Sequence, residues 1–179
     1  MIVFPVRGVT VSAPEAWAIL RAGCAVVCRP WGNPIPTPQT ILLATGTTWE
    51  TAERVDHLED AARAAGWGDG QLDQATPGET PLIPGRHTAW VDGQLGALGH
   101  VPTGRVVAVA ALVGVHEAGW EQCPCGSWPY PGDDWVHLVV DGVRELVRPL
   151  PHTGARRGLW AAPRQLVRAV VASDLLPAT

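Results

Sequence analysis

Residues 104–116 read Gly104-Arg105-Val106-Val107-Ala108-Val109-Ala110-Ala111-Leu112-Val113-Gly114-Val115-His116, or GRVVAVAALVGVH. The run is apolar and rich in β-branched side chains, which fit a pleated surface better than a helix. It is read as one long strand, bent or bulged near Gly114, where a glycine inside a strand allows a local break in pairing.

Further strands flank it on both sides. Gln39-Thr40-Ile41-Leu42-Leu43-Ala44 reads as a strand, and Cys24 to Cys28 has strand character. The loop GNPIPTP lies between these two, and its three prolines forbid regular structure. Downstream, Trp135-Val136-His137-Leu138-Val139-Val140 reads as a strand, Asp141-Gly142 as a hairpin-type turn, and Val143 to Val147 as the return.

Helices are fewer. Ser12-Ala13-Pro14-Glu15 followed by AWAILRAG predicts a short helix with an N-cap serine, a first-turn proline and Gly23 as its stop. Thr47-Thr48-Trp49-Glu50 has the spacing of a capping box and opens a predicted helix to Gly66. In that helix Trp49, Ala52, Val55, Leu58, Ala62 and Ala65 share one face. A last amphipathic helix is predicted over Ala162 to Leu175. Residues 66–100, rich in Gly, Pro and Gln, read as an irregular insertion or lid. Short strands outnumber helices and no βαβ alternation is visible. The expected fold is therefore α+β: a small β-barrel with peripheral helices, in a single domain over 1–179.

Composition removes several function classes. The chain has 179 residues, 46% hydrophobic and 17% charged, which excludes a disordered or fibrous class. There is no apolar run long enough to span a membrane and no basic start of a signal peptide, so the expected compartment is the cytoplasm. All thirteen cations are arginines, which removes Schiff-base and lysine general-base chemistry. Net charge is −4, but residues 142–179 carry six arginines (Arg144, Arg148, Arg156, Arg157, Arg164, Arg168) against Glu145 and Asp174. Such a local basic face can bind phosphate on an acidic protein; a merely solvated surface is the alternative.

Taken in order, the pieces resemble the ASCH domains of the PUA-like barrels. The family's Pro-Trp-Ala helix, ending in Gly and followed by Lys-x-x-Glu-x-Arg, is matched by PEAWAILRAGCAVVCRPW. The strand ending near His-Ala-Gly is matched by ILLATG, the helix opening with Trp by Trp49, and the Pro-Thr-Gly strand by VPTGRVVAVAALVGVH. The closing block is matched by WVHLVVDGVRELVRPLPHTGARRGLW. The resemblance implies a PUA-like barrel that binds RNA or nucleotides. Some small members hydrolyse acetylated cytidine with a lysine on the first of these strands. Here Cys24 stands at the lysine position and Val27 at the acidic one, while Arg29 is retained.

Candidate site residues follow from chemistry and from that resemblance. Single-stranded or modified nucleic acid is recognised by stacking bases on aromatic rings while arginines take phosphates. Trp31, Trp128, Tyr130 and Trp135 lie in or beside loops, and the family arrangement sets Arg29, Arg156 and Arg157 beside them. These seven are the expected ligand-binding residues, whereas Trp17, Trp49 and Trp160 read as core. For catalysis the candidates are Cys24, His116 and His137, a thiol with imidazoles able to activate it.

Cys24, Cys28, Cys123 and Cys125 are the candidate zinc ligands, although neither pair has C-x-x-C spacing. On a strand, Cys24 and Cys28 would lie about 13 Å apart, so buried thiols without a cofactor are the expectation. The expected function is binding of RNA, single-stranded nucleic acid or a modified nucleoside, with no membrane partner. A hydrolase of an amide-bearing nucleoside and a protein-interaction module are the alternatives.

Overall fold

The computed structural model describes residues 6–21, 23–30, 35–46, 102–117, 135–152 and 158–175. They form six strands and two helices: β1 (Arg7–Val11), α1 (Ala13–Arg21), β2 (Val26–Arg29), β3 (Gln39–Thr45), β4 (Arg105–Glu117), β5 (Val136–Pro151), β6 (Leu159–Ala161) and α2 (Arg164–Val171). The strands make one sheet in the order β2-β5-β4-β3-β1-β6. β1 and β3 run parallel, and the other neighbours are antiparallel.

Burial of both sheet faces explains the apolar run in β3. Ile41 and Leu43 enter one core with Val9, Val11, Trp17, Ile19, Val27, Leu112, Leu138 and Val140. Leu42 and Ala44 point the other way, into a second core with Val106, Leu146, Trp160, Val167 and Val170. α1 therefore covers one face and α2 the other, as expected of layered packing. The first helix forms as predicted, over Ala13–Arg21, and Gly23 follows it with φ 68°, a left-handed conformation suited to a helix stop.

The sheet curls. Arg29 on the edge strand β2 donates through Nη2 to the Thr10 carbonyl on β1 at 2.5 Å. Those strands are four steps apart in sheet order, about 19 Å if the sheet were flat. An arginine side chain cannot span that distance, so the sheet must roll into a barrel-like wall to bring the two strands together.

The long central strand over 104–116 is present as β4, and its pairing with β5 shifts between Leu112 and Gly114, where the sequence predicts a bulge. Asp141-Gly142 is a correction to the predicted hairpin. β5 runs on without reversing, and Gly142, with φ 55°, sits in a bulge where Val109 faces Arg144 and Ala111 faces Asp141. A left-handed glycine suits a two-residue turn and a bulge equally, and here the pairing of both halves with the same strand β4 decides. A larger shift follows at Leu146–Pro149, between the pairs Ala108–Glu145 and Val106–Leu150. There β5 pairs with the segment after α2 instead, through a Leu146–Leu175 bridge and Val147 N–H to the Asp174 carbonyl at 3.0 Å. The last helix is shorter than predicted, Arg164–Val171, because Pro163 precedes it and Ala172 caps it. The helix expected from Thr47 to Gly66 and the insertion at 66–100 lie outside the described residues.

Candidate functional site

Two neighbouring groups of polar side chains gather where β2 ends. The first starts from the capping box of α1. The Ser12 hydroxyl accepts from Glu15 N–H at 3.2 Å, and the Ser12 N–H donates to Glu15 Oε2 at 3.3 Å. The same carboxylate accepts from the Cys28 N–H at 3.2 Å and from Arg29 Nη1 at 3.0 and 3.1 Å. Arg29 Nη1 also donates to the Cys28 carbonyl, and Nη2 to that of Thr10. Both side chains of the ion pair are 11% exposed, so its hydrogen bonds offset a real desolvation cost.

The network continues across β1. The Thr10 hydroxyl accepts from Trp160 Nε1 at 3.1 Å, and the His152 ring stacks on that indole at 4.4 Å between centroids, 13° from parallel. The indole lies over Gly8, its partner in the β1–β6 register. A Cβ built on Gly8 would meet indole carbons at 2.2–2.5 Å, so only glycine fits there. On the adjoining rim Thr45 Oγ1 accepts from the Arg105 N–H at 3.1 Å and donates to the Pro102 carbonyl at 2.6 Å. This holds the Pro102-Thr103-Gly104 turn against β3.

The second group crosses three strands in one row. Cys28 of β2 is registered with His137 of β5, and His137 with His116 of β4. Directly paired residues project from the same sheet face, so a thiol and two imidazoles stand side by side. The imidazoles meet edge to face, with centroids 5.1 Å apart at 77°. Cys28 and His137 are buried and His116 is half-buried. Burial holds the His137 imidazole below its usual 6.5, and the nearby His116 adds to that shift. His137 is thus neutral at physiological pH. Nδ1 of His116 lies 2.8 Å from the Glu117 carbonyl. A carbonyl can only accept, so the neutral tautomer of His116 has its proton on Nδ1 and its lone pair on Nε2. Trp135, half-buried, immediately precedes β5 at this corner.

The expected residues are therefore distributed unevenly. Trp135, His116 and His137 share one corner. Arg29 is beside it, but its guanidinium is engaged by Glu15, Cys28 and Thr10. Cys24 is half-buried and its Sγ donates to the Val26 carbonyl at 3.5 Å; Cys28 is the cysteine registered with the histidines. Trp17 and Trp160 are core, at 1% and 5% exposure, as predicted. Trp31, Trp49, Trp128, Tyr130, Arg156, Arg157, Cys123 and Cys125 lie outside the described residues. Among the described residues no group of three His, Cys, Asp or Glu side chains is arranged to hold a metal ion, and no helix is long and apolar enough to cross a membrane.

Sequence reasoning misses Glu15 and Thr10. The Ser-x-x-Glu spacing is a usable signal for Glu15, but its second use, as the arginine's counter-charge, depends on tertiary contact. The Cys28–His137–His116 row cannot be read without the strand order.

No family model and no curated protein matches the sequence. Among solved structures, the chain aligns with a point mutant of ZmASCH from Zymomonas mobilis at a TM-score of 0.44 and 8% identity, over 95% of this chain and 99% of that one.

Proposed function

We propose that this protein is a PUA-like barrel of the ASCH type that binds RNA or a modified nucleotide or nucleoside, with the base received at the corner formed by Trp135, His116 and His137. The observation that carries this reading is the gathering of three rings at the adjoining ends of β4 and β5, two of them half-buried. Aromatic and imidazole faces stack on bases, and a neutral imidazole offers both a donor and an acceptor to a base edge. In sequence Trp128 and Tyr130 lie between β4 and β5 and Trp31 follows β2; in this reading they supply further rings, while Arg156 and Arg157 supply phosphate contacts. Arg29 acts as a positioning residue, fixing β2 beneath the corner. The test is quenching of tryptophan fluorescence by a nucleoside panel that includes acetylated cytidine. Saturable quenching supports the reading, and a flat response across the panel removes it.

The thiol–imidazole row favours a second reading, in which an amide-bearing nucleoside is hydrolysed. Cys28, rather than Cys24, is then the thiol, and His137, kept neutral by burial, is the base beside it. Release of acetate from acetylated cytidine, lost in Cys28→Ala, is the result that selects this reading over simple binding.

A further inference from the structure

One strongly charged surface is not used by that corner. Arg164 and Arg168 are exposed on α2, one helical turn apart, on a flank beside the stripe of buried Val167 and Val170. The helix lies on the sheet face that carries Leu146, with which Val167 and Val170 share a core. Exposed Arg144 and Arg148 flank Leu146 on β5. The exposed acid that follows α2 is Asp174, whose backbone carbonyl accepts from Val147. In a chain of net charge −4, two arginines on α2 and two on the β5 stretch packed against it are thus exposed.

Fold stability accounts for only part of this arrangement: Arg168, in the last turn, complements the negative end of the helix dipole, whereas Arg164 does not. The first turn of α2 contains no acid, Pro163 provides no side-chain cap, and Arg164 places a cation at the positive end of the helix dipole. Each of these three features disfavours the helix, and local rules are broken most often at functional sites. Val147 and Val171 are exposed here, at 50% and 63%, but single valines make no apolar patch for a membrane or a protein helix.

We infer that the α2–β5 arginine face is a track for the phosphodiester backbone of single-stranded RNA. Arg164 and Arg168 are about 6 Å apart along the helix axis, a step comparable to that between neighbouring phosphates of an extended strand. Guanidinium groups bind phosphate oxygens bidentately and keep their charge at any physiological pH. The inference rests on the nucleic-acid reading above and deepens it: the ligand is a strand with several phosphates rather than an isolated nucleoside.

The test is anisotropy of a short fluorescein-labelled RNA of mixed sequence, titrated over a range of salt, with cytidine quenching measured on the same proteins. For single strands the logarithm of affinity falls with the logarithm of salt by roughly 0.7 per phosphate neutralised. Arg164→Gln/Arg168→Gln is expected to reduce that slope by about 1.4 and to weaken binding on the order of 20-fold near 0.1 M salt, leaving cytidine quenching unchanged. Arg148→Gln, on the strand, is expected to reduce the slope by about 0.7, half as much, without touching the helix.

An unchanged slope in both variants overturns the inference, as does absence of RNA binding at low salt. Arginine-dependent binding to phosphatidylserine vesicles with none to RNA also overturns it, in favour of a membrane surface. Loss of cytidine quenching alone, with arginine-dependent RNA binding kept, removes the aromatic corner and leaves the track standing.

Discussion

Arg29 and Thr10, on strands four places apart in one sheet, are joined by a guanidinium-to-carbonyl hydrogen bond of 2.5 Å. The contact works as a bolt across the barrel wall, and Glu15 supplies its counter-charge from the start of α1. Removing the arginine would leave a buried carboxylate without its counter-charge and remove the Nη2 contact from β2 to β1. Arg29→Ala is expected to lower unfolding stability by about 3–5 kcal/mol in urea titrations. Arg29→Lys keeps the charge but not the fork, so it should recover only part of the loss. Stability equal to wild type in Arg29→Ala would sink the bolt.

Gly8 and Trp160 give a second prediction. Because a Cβ at position 8 would sit 2.2 Å from an indole carbon, Gly8→Ala must displace the ring and its hydrogen bond to Thr10. The expected cost is about 1–3 kcal/mol or more, with a changed near-ultraviolet dichroism spectrum. In the Trp160→Leu background the same alanine should cost distinctly less, since the clash partner is gone. Additive losses in the double variant would contradict the close approach.

His137 sets a pH dependence. Its imidazole is held below 6.5 in the fold, so between the folded and unfolded values the unfolded chain binds more protons. Its contribution is therefore full at neutral pH and above, and declines as pH falls below about 6.5 toward the folded value. Urea midpoints should drop from about pH 7.5 to about pH 5, and His137→Leu should flatten the profile in that window. A profile identical in both proteins would remove His137 as its source.

For the ring corner, Trp135→Ala is expected to weaken nucleoside binding by about 1–3 kcal/mol, the usual value of one base-stacking contact. Isothermal titration with the best nucleoside of the panel measures it. Trp160→Leu, in the core, serves as the comparison, because it alters packing without touching the corner. Equal affinity in Trp135→Ala would move the ligand elsewhere.

How far the fold and the site are legible in the sequence depends on the range of the interactions involved. The apolar run of β4, its irregularity at Gly114, strand β3 and the Ser12–Gly23 helix all follow from local patterns of size, polarity and turn chemistry. Asp141-Gly142 misleads because a left-handed glycine serves a hairpin and a bulge alike, and only the partner strand distinguishes them. Arg29 is legible as a functional position through its resemblance, but not as an ion-paired bolt. Its partners, Glu15 and Thr10, come from other elements. The same holds for the Cys28–His137–His116 row, whose members are 109 and 21 residues apart in sequence and meet only through the register.

The indole of Trp160 also has a consequence for synthesis of the chain. β1 is flanked by β3 on one side and by β6 on the other, and β6 comes from residues 159–161. While the ribosome is still adding the residues between them, one edge of β1 carries unpaired N–H and C=O groups, and Gly8 lacks its aromatic cover. At about 5–20 residues per second, that interval lasts roughly 8–30 s. The nascent protein therefore presents an open strand edge until Leu159–Ala161 has emerged, a template for wrong pairing. Truncation ahead of Leu159 would leave that edge open permanently.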